Sequence, residues 1–431
     1  MNKRKTITDS IVIGAALFAM FFGAGNMIFP PYLGFKAGTD WLWGFLGYYI
    51  ADIGLAVVAI LGLIRAGDYK EVLRPLGRFL GPAMMFAIVM CIGPVISIPR
   101  TAATTFELSI VPLFEGVNMP IFYVIFFLLI ALLCINRSAV VDIVGKILTP
   151  LLFVGLVVLI IIGIVNPIGD ITLAPRTESV VADGIEAGYQ SMDVLASLIF
   201  GGLILASATD KGHRDIKAKS RVAAGAGIVA GIGLLIIYLG LTYLGACSAA
   251  FHDMHTSRTD LLIWIVGTLI SGKAGLVFFS VIMGLACVST AIALTSASAE
   301  YLSEISRGKV SYRLFVIIIC AFSAVVSLAG VDSIIEFASP ILTIIYPPVL
   351  VLIMLTFFGE KIKNLSRCMA ACCALIFGAL DVITGWGFKM PFLSHLPLSN
   401  LGLGWVIPTF AIFILGVALE RAGLTRKLTK V

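Results

Sequence analysis

FAMFFGAGNMIFP, residues Phe18 to Pro30, decides how the rest of the chain is read. It lies inside an apolar segment running from about Ile11 to Phe35, so its glycines sit at the depth of a bilayer core. Gly23 and Gly25 lower the cost of leaving helical geometry, and Pro30 and Pro31 withdraw two amide donors shortly afterwards. The combination predicts an interrupted helix. An unpaired backbone group is costly in hydrocarbon, and irregular backbone persists there only where protein buries it or a wet cavity meets it. An interruption at this depth therefore implies a binding site, and the remaining sequence is a frame that holds it.

The frame is apolar: of 431 residues, 60% are hydrophobic and 13% charged, against about 25% charged in a soluble domain. The chain is an integral membrane protein, and its first apolar segment is too long for a cleaved signal peptide. The net charge of +6 is spread over short loops, which excludes a nucleic-acid partner and leaves the lipid bilayer as the surrounding phase. Cys91, Cys134, Cys247, Cys287, Cys320, Cys368, Cys372 and Cys373 show no metal-type spacing and read as small packing residues. His213, His252, His255 and His395 fall in loops, and the pair in FHDMH lacks a third ligand. No Ser-His-Asp set, HExxH motif or phosphate-binding glycine loop is present in a usable place, so neither an enzyme nor an organic cofactor is expected.

Apolar runs long enough to cross about 30 Å of hydrocarbon fall near 11–35, 41–63, 80–99, 120–135, 143–165, 187–208, 222–246, 274–302, 312–330, 334–357, 369–388 and 403–420. This predicts an all-α membrane protein with twelve spans in one polytopic domain, 1–431. The run from Leu261 to Ser271 is too short to span and reads as a short helix lying over the bundle. Of the 30 Lys and Arg residues, 24 fall on the side of both termini, and Lys36, Arg100, Arg176, Arg258, Lys273 and Lys389 face the other way. That bias places both termini in the cytoplasm of a cell inner or plasma membrane protein.

Transporters built from inverted repeats set two interrupted helices against each other, one from each half. The sixth span begins IEAGYQSMDVLASLIFGG, where Gly188, Tyr189, Gln190, Ser191 and Asp193 crowd polar and flexible residues into a membrane segment. The symmetry gives five-helix repeats over 11–165 and 187–357, with two further helices over 369–420. TAATTFELS (Thr101 to Ser109) and TSASAEYLS (Thr295 to Ser303) echo each other at the ends of the third and eighth spans.

A broken helix offers amide N–H groups at the start of its second half and carbonyls at the end of its first, so one gap attracts an anion and a cation at different points. Amides around Gly23, Ala24 and Gly25 suit a carboxylate. Carbonyls near Ala19 to Phe22, with those of Gly188 to Gln190, suit an ammonium group or a metal cation. In the eighth span Ala286, Ser289 and Thr290 share one helix face and offer a carbonyl and two hydroxyls to a hard cation such as sodium. Ser and Thr in membrane helices also bond back to their own i−4 carbonyl or join neighbouring helices, so both readings stand.

GAGNMIFPP, GYQSMD and ACVSTAIALTSASAEYLSE resemble the branched-chain amino acid:cation symporter (LIVCS) family, within the amino acid, polyamine and organocation superfamily. The resemblance extends over nearly the whole chain. It implies sodium-driven import of leucine, isoleucine and valine on the fold of bacterial leucine transporters of the neurotransmitter symporter type. In those transporters a GxGN segment feeds one sodium site through its Asn, which falls on Asn26. A second site built from first-span carbonyls and an Ala, Thr, Ser face falls on Ala19, Phe22, Ala286, Ser289 and Thr290. The FLRFP that follows GN in those relatives is MIFP here, so the arginine that helps gate their site is missing.

Charged groups at membrane depth are functional candidates by default. Asp193 beside the expected sixth-span break is the first, as a substrate contact or a helix-end group. Asp52, Glu336 and Asp381 read as packing or relay residues, and Ile92 or Ile292 as the kind of apolar residue that would line a side-chain pocket. In proton-coupled relatives a fifth-span lysine can replace the second sodium, but Lys146 falls near the cytoplasmic start of its span and reads as a snorkelling side chain, which leaves proton coupling as the lesser alternative to sodium. A sensor of amino acids without transport is the remaining alternative.

Overall fold

The computed structural model describes residues 3–23, 25–114, 116–136, 149–213, 215–270, 273–359, 362–388 and 390–422, and every regular element among them is helical. Helix α1 (Lys3–Phe21) ends where Phe22 and Gly23 leave helical geometry, and α2 (Gly25–Ala37) resumes it. The break lies upstream of Pro30 and Pro31, which sit inside α2. There they deprive the carbonyls of Asn26 and Met27 of helical donors without ending the helix.

The second span divides into α3 (Trp41–Tyr49) and α4 (Leu55–Ala66), joined by a π-helical turn over Ile50–Gly54 that carries Asp52. The third comprises α5 (Gly77–Met90), a π turn over Cys91–Val95 kinked at Gly93, and α6 (Ser97–Thr105), prolonged by a second π turn to Ile110. This corrects the expected end near residue 99. The segment from Arg100 onward is polar, yet it stays helical because neighbouring helices, not lipid, surround it: Arg100, Thr101, Thr104, Thr105 and Ser109 are all buried.

Helices α7 (Met119–Asn136) and α8 (Thr149–Val165) follow; the expected start of the fifth span near 143, with Lys146, lies outside the described residues. The sixth span is α9 (Val180–Ser191) and α10 (Asp193–Asp210). It begins at Val180, where Ser179 accepts a hydrogen bond from the Ala182 N–H (3.3 Å), and not near 187. Then come α11 (Ile216–Ser248), the short α12 (Arg258–Leu269), α13 (Lys273–Ile305), α14 (Tyr312–Ser327), α15 (Val331–Thr356), α16 (Asn364–Gly385) and α17 (Val406–Arg421).

Packing sorts these helices into two groups. In the first, α1 and α2 lie on α11, α9 on α3, and α10 on α4. Backbones touch between α2 and α11: a Cβ on Gly34 would lie 1.8 Å from the Thr242 carbonyl oxygen, and one on Gly245 would lie 1.9 Å from that of Pro31. In the second group, α6, α7, α13 and α14 pack on one another, and Ser280 Oγ of α13 donates to Leu108 O of the third span (3.2 Å). Helix α8 touches both groups, and α15 carries α16, which in turn carries α17. Both interrupted helices belong to the first group and face the seam between the two.

Over one end of the seam lies α12. Its Arg258 bonds to Asp332 of α15 and stacks on Tyr32 of α2 at 4.5 Å, while Thr259 Oγ1 donates to Glu107 Oε2 (2.6 Å). Glu107 Oε1 also accepts the Val331 N–H (3.0 Å), so one carboxylate joins the third span, α12 and α15. Beneath this cover is a cavity of about 110 Å³ whose lining includes Phe29, Tyr32, Gln190 and Arg258.

Candidate substrate and ion site

At the first break the backbone turns on itself. The Gly23 N–H bonds to Phe21 O (2.8 Å) and the Asn26 N–H to Gly23 O (3.2 Å). The carbonyls of Ala19 and Phe22 thereby lose the donors an unbroken helix would supply four residues on. Opposite them stands Thr290 of α13: a Cβ placed on Gly23 would lie 3.7 Å from its Oγ1. Thr290 Oγ1 also donates to Ala286 O (3.1 Å), so the back-bonded arrangement and the proximity to the break coexist. Ser289 is half-buried on the same helix. Ala24 lies outside the described residues.

At the second break a single residue makes the turn. Met192 takes the left-handed conformation (φ 66°, ψ 14°), uncommon for a side chain without a local polar group. Gly188, expected at the break, is instead a packing residue within α9. A Cβ there would lie 2.8 Å from Ala51 Cβ, 3.0 Å from Asp52 N and 3.1 Å from Tyr48 O. Of the three carbonyls expected to face a cation, two already accept a bond, Tyr189 O from the Met192 N–H (3.1 Å) and Gln190 O from Arg100 Nη1 (2.7 Å), and Gly188 O lies 2.5 Å from the Ser191 hydroxyl. The Tyr189 ring stacks on Tyr346 of α15 with centroids 4.4 Å apart.

Side chains tie the two breaks together. Asn26 Nδ2 donates to Phe21 O (2.7 Å) and to Asp193 Oδ2 (2.9 Å), so one amide closes the end of α1 and holds the first residue of α10. The Ser191 hydroxyl lies 2.5 Å from both Asp52 Oδ1 and Gly188 O and its single proton serves one of them at a time, while Ser197 Oγ donates to Asp193 O (2.7 Å) with Ala56 O beside it (3.2 Å). Asp52, Asp193 and Arg100 are 0%, 5% and 3% exposed. Two carboxyl groups and one guanidinium thus share a region where uncompensated charge is expensive. Among the described residues Asp52 Oδ2, Gln190 Oε1 and Tyr346 Oη are buried without a hydrogen-bond partner, which suits a site that takes a polar solute.

Composition alone did not mark Asp52 or Arg100 as part of this centre. Asp52 sits mid-span on a π turn, a local distortion frequent at functional sites. The charge pattern puts Arg100 in a loop on the face opposite the termini; it lies instead within the bundle, because TAATTFELS contains no Gly or Pro to end the helix that Arg100 enters. Glu336 and Asp381 are exposed.

Apolar helices, two of them interrupted face to face around a buried polar centre, define a multi-pass membrane transporter of the leucine-transporter type of fold. A solved structure of Mhp1, a nucleobase-cation-symport-1 family transporter in a closed conformation with bromovinylhydantoin bound, superposes with a TM-score of 0.67 over 96% of this chain and 92% of that one, at 13% identity. The sequence matches the family described as branched-chain amino acid transport protein over residues 6–423, and the chain belongs to that family. It is similar to the branched-chain amino acid transport system 3 carrier protein of Pseudomonas aeruginosa, at 35% identity over 94% of each chain. It is likewise similar to the branched-chain amino acid permease BrnQ of Salmonella typhimurium, at 34% identity over 96% of each. The protein is a branched-chain amino acid transporter and not an enzyme.

Proposed function

We propose that the chain imports leucine, isoleucine and valine together with sodium, by alternating access, with both termini in the cytoplasm. The observation that carries sodium coupling is the first break, where the carbonyls of Ala19 and Phe22 are stripped of helical donors opposite the Thr290 hydroxyl. Neutral oxygens in that arrangement suit a hard monovalent cation. Ala286 and Ser289 complete the proposed ligand face of α13. Asn26, whose amide nitrogen is spent on Phe21 and Asp193, keeps its oxygen for a second ion or for the substrate. Phe22, Gly23, Gly25 and Asn26 from the first break, with Tyr189, Gln190, Ser191 and Asp193 from the second, surround the amino acid, while Gly188 keeps its packing role against the second span. Uptake of labelled leucine into proteoliposomes should vanish when potassium replaces sodium. Uptake that persists on a pH gradient alone overturns sodium coupling and favours the proton.

A further inference from the structure

We propose that Arg100 grips the carboxylate of the transported amino acid. The proposal rests on the branched-chain amino acid reading above and assigns a residue to that site. Arg100 enters from α6, in the helix group opposite both interrupted helices, and is 3% exposed. It reaches both breaks. Its Nη1 donates to Gln190 O in the last turn of α9 (2.7 Å), and its guanidinium lies over the Phe29 ring of α2 at 5.3 Å. The same group is pressed against the first residue of α2: a Cβ on Gly25 would lie 2.5 Å from Nη2, 2.9 Å from Cζ and 3.2 Å from Nε. Only glycine admits the guanidinium at that place.

Two needs meet there. At the start of α2 the Asn26 N–H is taken by Gly23 O (3.2 Å), and the remaining first-turn N–H groups have no helical acceptor four residues back in a continuous helix, a setting that favours an anion. Arg100 presents five N–H donors in a planar fork, of which only the bond to Gln190 O is taken up among the described residues. No carboxylate lies within ion-pairing distance of it among those residues; Asp193 is held by Asn26 Nδ2 (2.9 Å) instead. A buried guanidinium without an anion is costly, and a fork of this shape matches a carboxylate with two parallel bonds. The substrate supplies the anion. Its ammonium group is then left for the acidic side of the centre, where Asp193 stands.

The competing role is structural: a positive charge that merely offsets the field of Asp193 and Asp52. Leucine and leucinamide, which lacks the carboxylate, separate the two roles. Binding of both to the purified full-length protein is measured in sodium buffer for the wild type, Arg100→Gln and Arg100→Lys. The wild type should prefer leucine. Arg100→Gln should shrink that preference roughly 10- to 100-fold, and Arg100→Lys, which keeps the charge but loses the fork, roughly 10-fold. A wild type that binds leucinamide as well as leucine overturns the proposal, as does an unchanged preference in either variant. Should Arg100→Gln fail to fold, Arg100→Lys carries the test, and Gly25→Ala, which displaces the guanidinium and leaves every charge in place, should shrink the preference in the same direction. A wild type that binds none of leucine, isoleucine and valine defeats the functional reading instead.

Discussion

Asn26 and Asp193 allow a test of the geometry that does not depend on which ion is carried. Asn26→Asp converts a donor that serves Phe21 O at 2.7 Å and Asp193 Oδ2 at 2.9 Å into an acceptor facing two acceptors. The neutral bond to Phe21 is worth about 1 kcal/mol and the charge-assisted bond to Asp193 about 2 kcal/mol, so the single substitution should cost about 3 kcal/mol before any repulsion between the carboxylates. Adding Asp193→Asn exchanges the two groups. A donor again faces a carboxylate, and about 2 kcal/mol should return; the contact at Phe21 O remains broken, so the recovery is partial. Equilibrium unfolding of the wild type, the two single variants and the double variant in mixed detergent micelles closes the cycle. A coupling energy within about 0.5 kcal/mol of zero, the limit for independent sites, would refute the bridge between the two breaks.

Gly188→Ala should separate α9 from the second span, since its Cβ meets Ala51 Cβ at 2.8 Å and two backbone atoms at 3.0 and 3.1 Å, inside the 3.4 Å where ordinary contact begins. A loss of about 1–3 kcal/mol in the same unfolding assay is expected, partly restored by Ala51→Gly, and an unchanged midpoint would contradict the packing. Thr290→Val keeps the methyl that faces Gly23 and deletes the hydroxyl. It should raise the sodium concentration for half-maximal leucine uptake roughly 10-fold while leaving leucine affinity at saturating sodium unchanged, and an unmoved sodium curve removes Thr290 from the ion site.

How much of this could be read in the residues varies along the chain. The first break was legible because glycine and proline act through the backbone itself, and GAGN announces its effect wherever it falls. The second was legible only to within a few residues. Gly188 looked like the hinge, but its missing Cβ serves the contact with Ala51 and Asp52; the turn is made by Met192, whose left-handed backbone has no sequence signal. Arg100 was misplaced for a related reason. Counting apolar residues finds the part of a helix that lipid touches, and the stretch from Arg100 to Ile110 is covered by other helices, so its polarity reads as loop. Asp52 could be placed in a span from sequence, but its bond to Ser191 joins residues 139 positions apart, a pairing that only the packed bundle brings about.

The seam between the two helix groups gives the site a mechanical property. Asn26, Gln190 and Asp193 stand on one bank, and Arg100 and Thr290 on the other. A solute bonded to both banks acts as a rivet, and one that reaches a single bank leaves the joint slack. Selectivity then has two filters, adhesion and closure, and a molecule can pass the first while failing the second. Analogues that bind firmly yet halt the cycle are to be sought among those that fill the pocket but miss one bank.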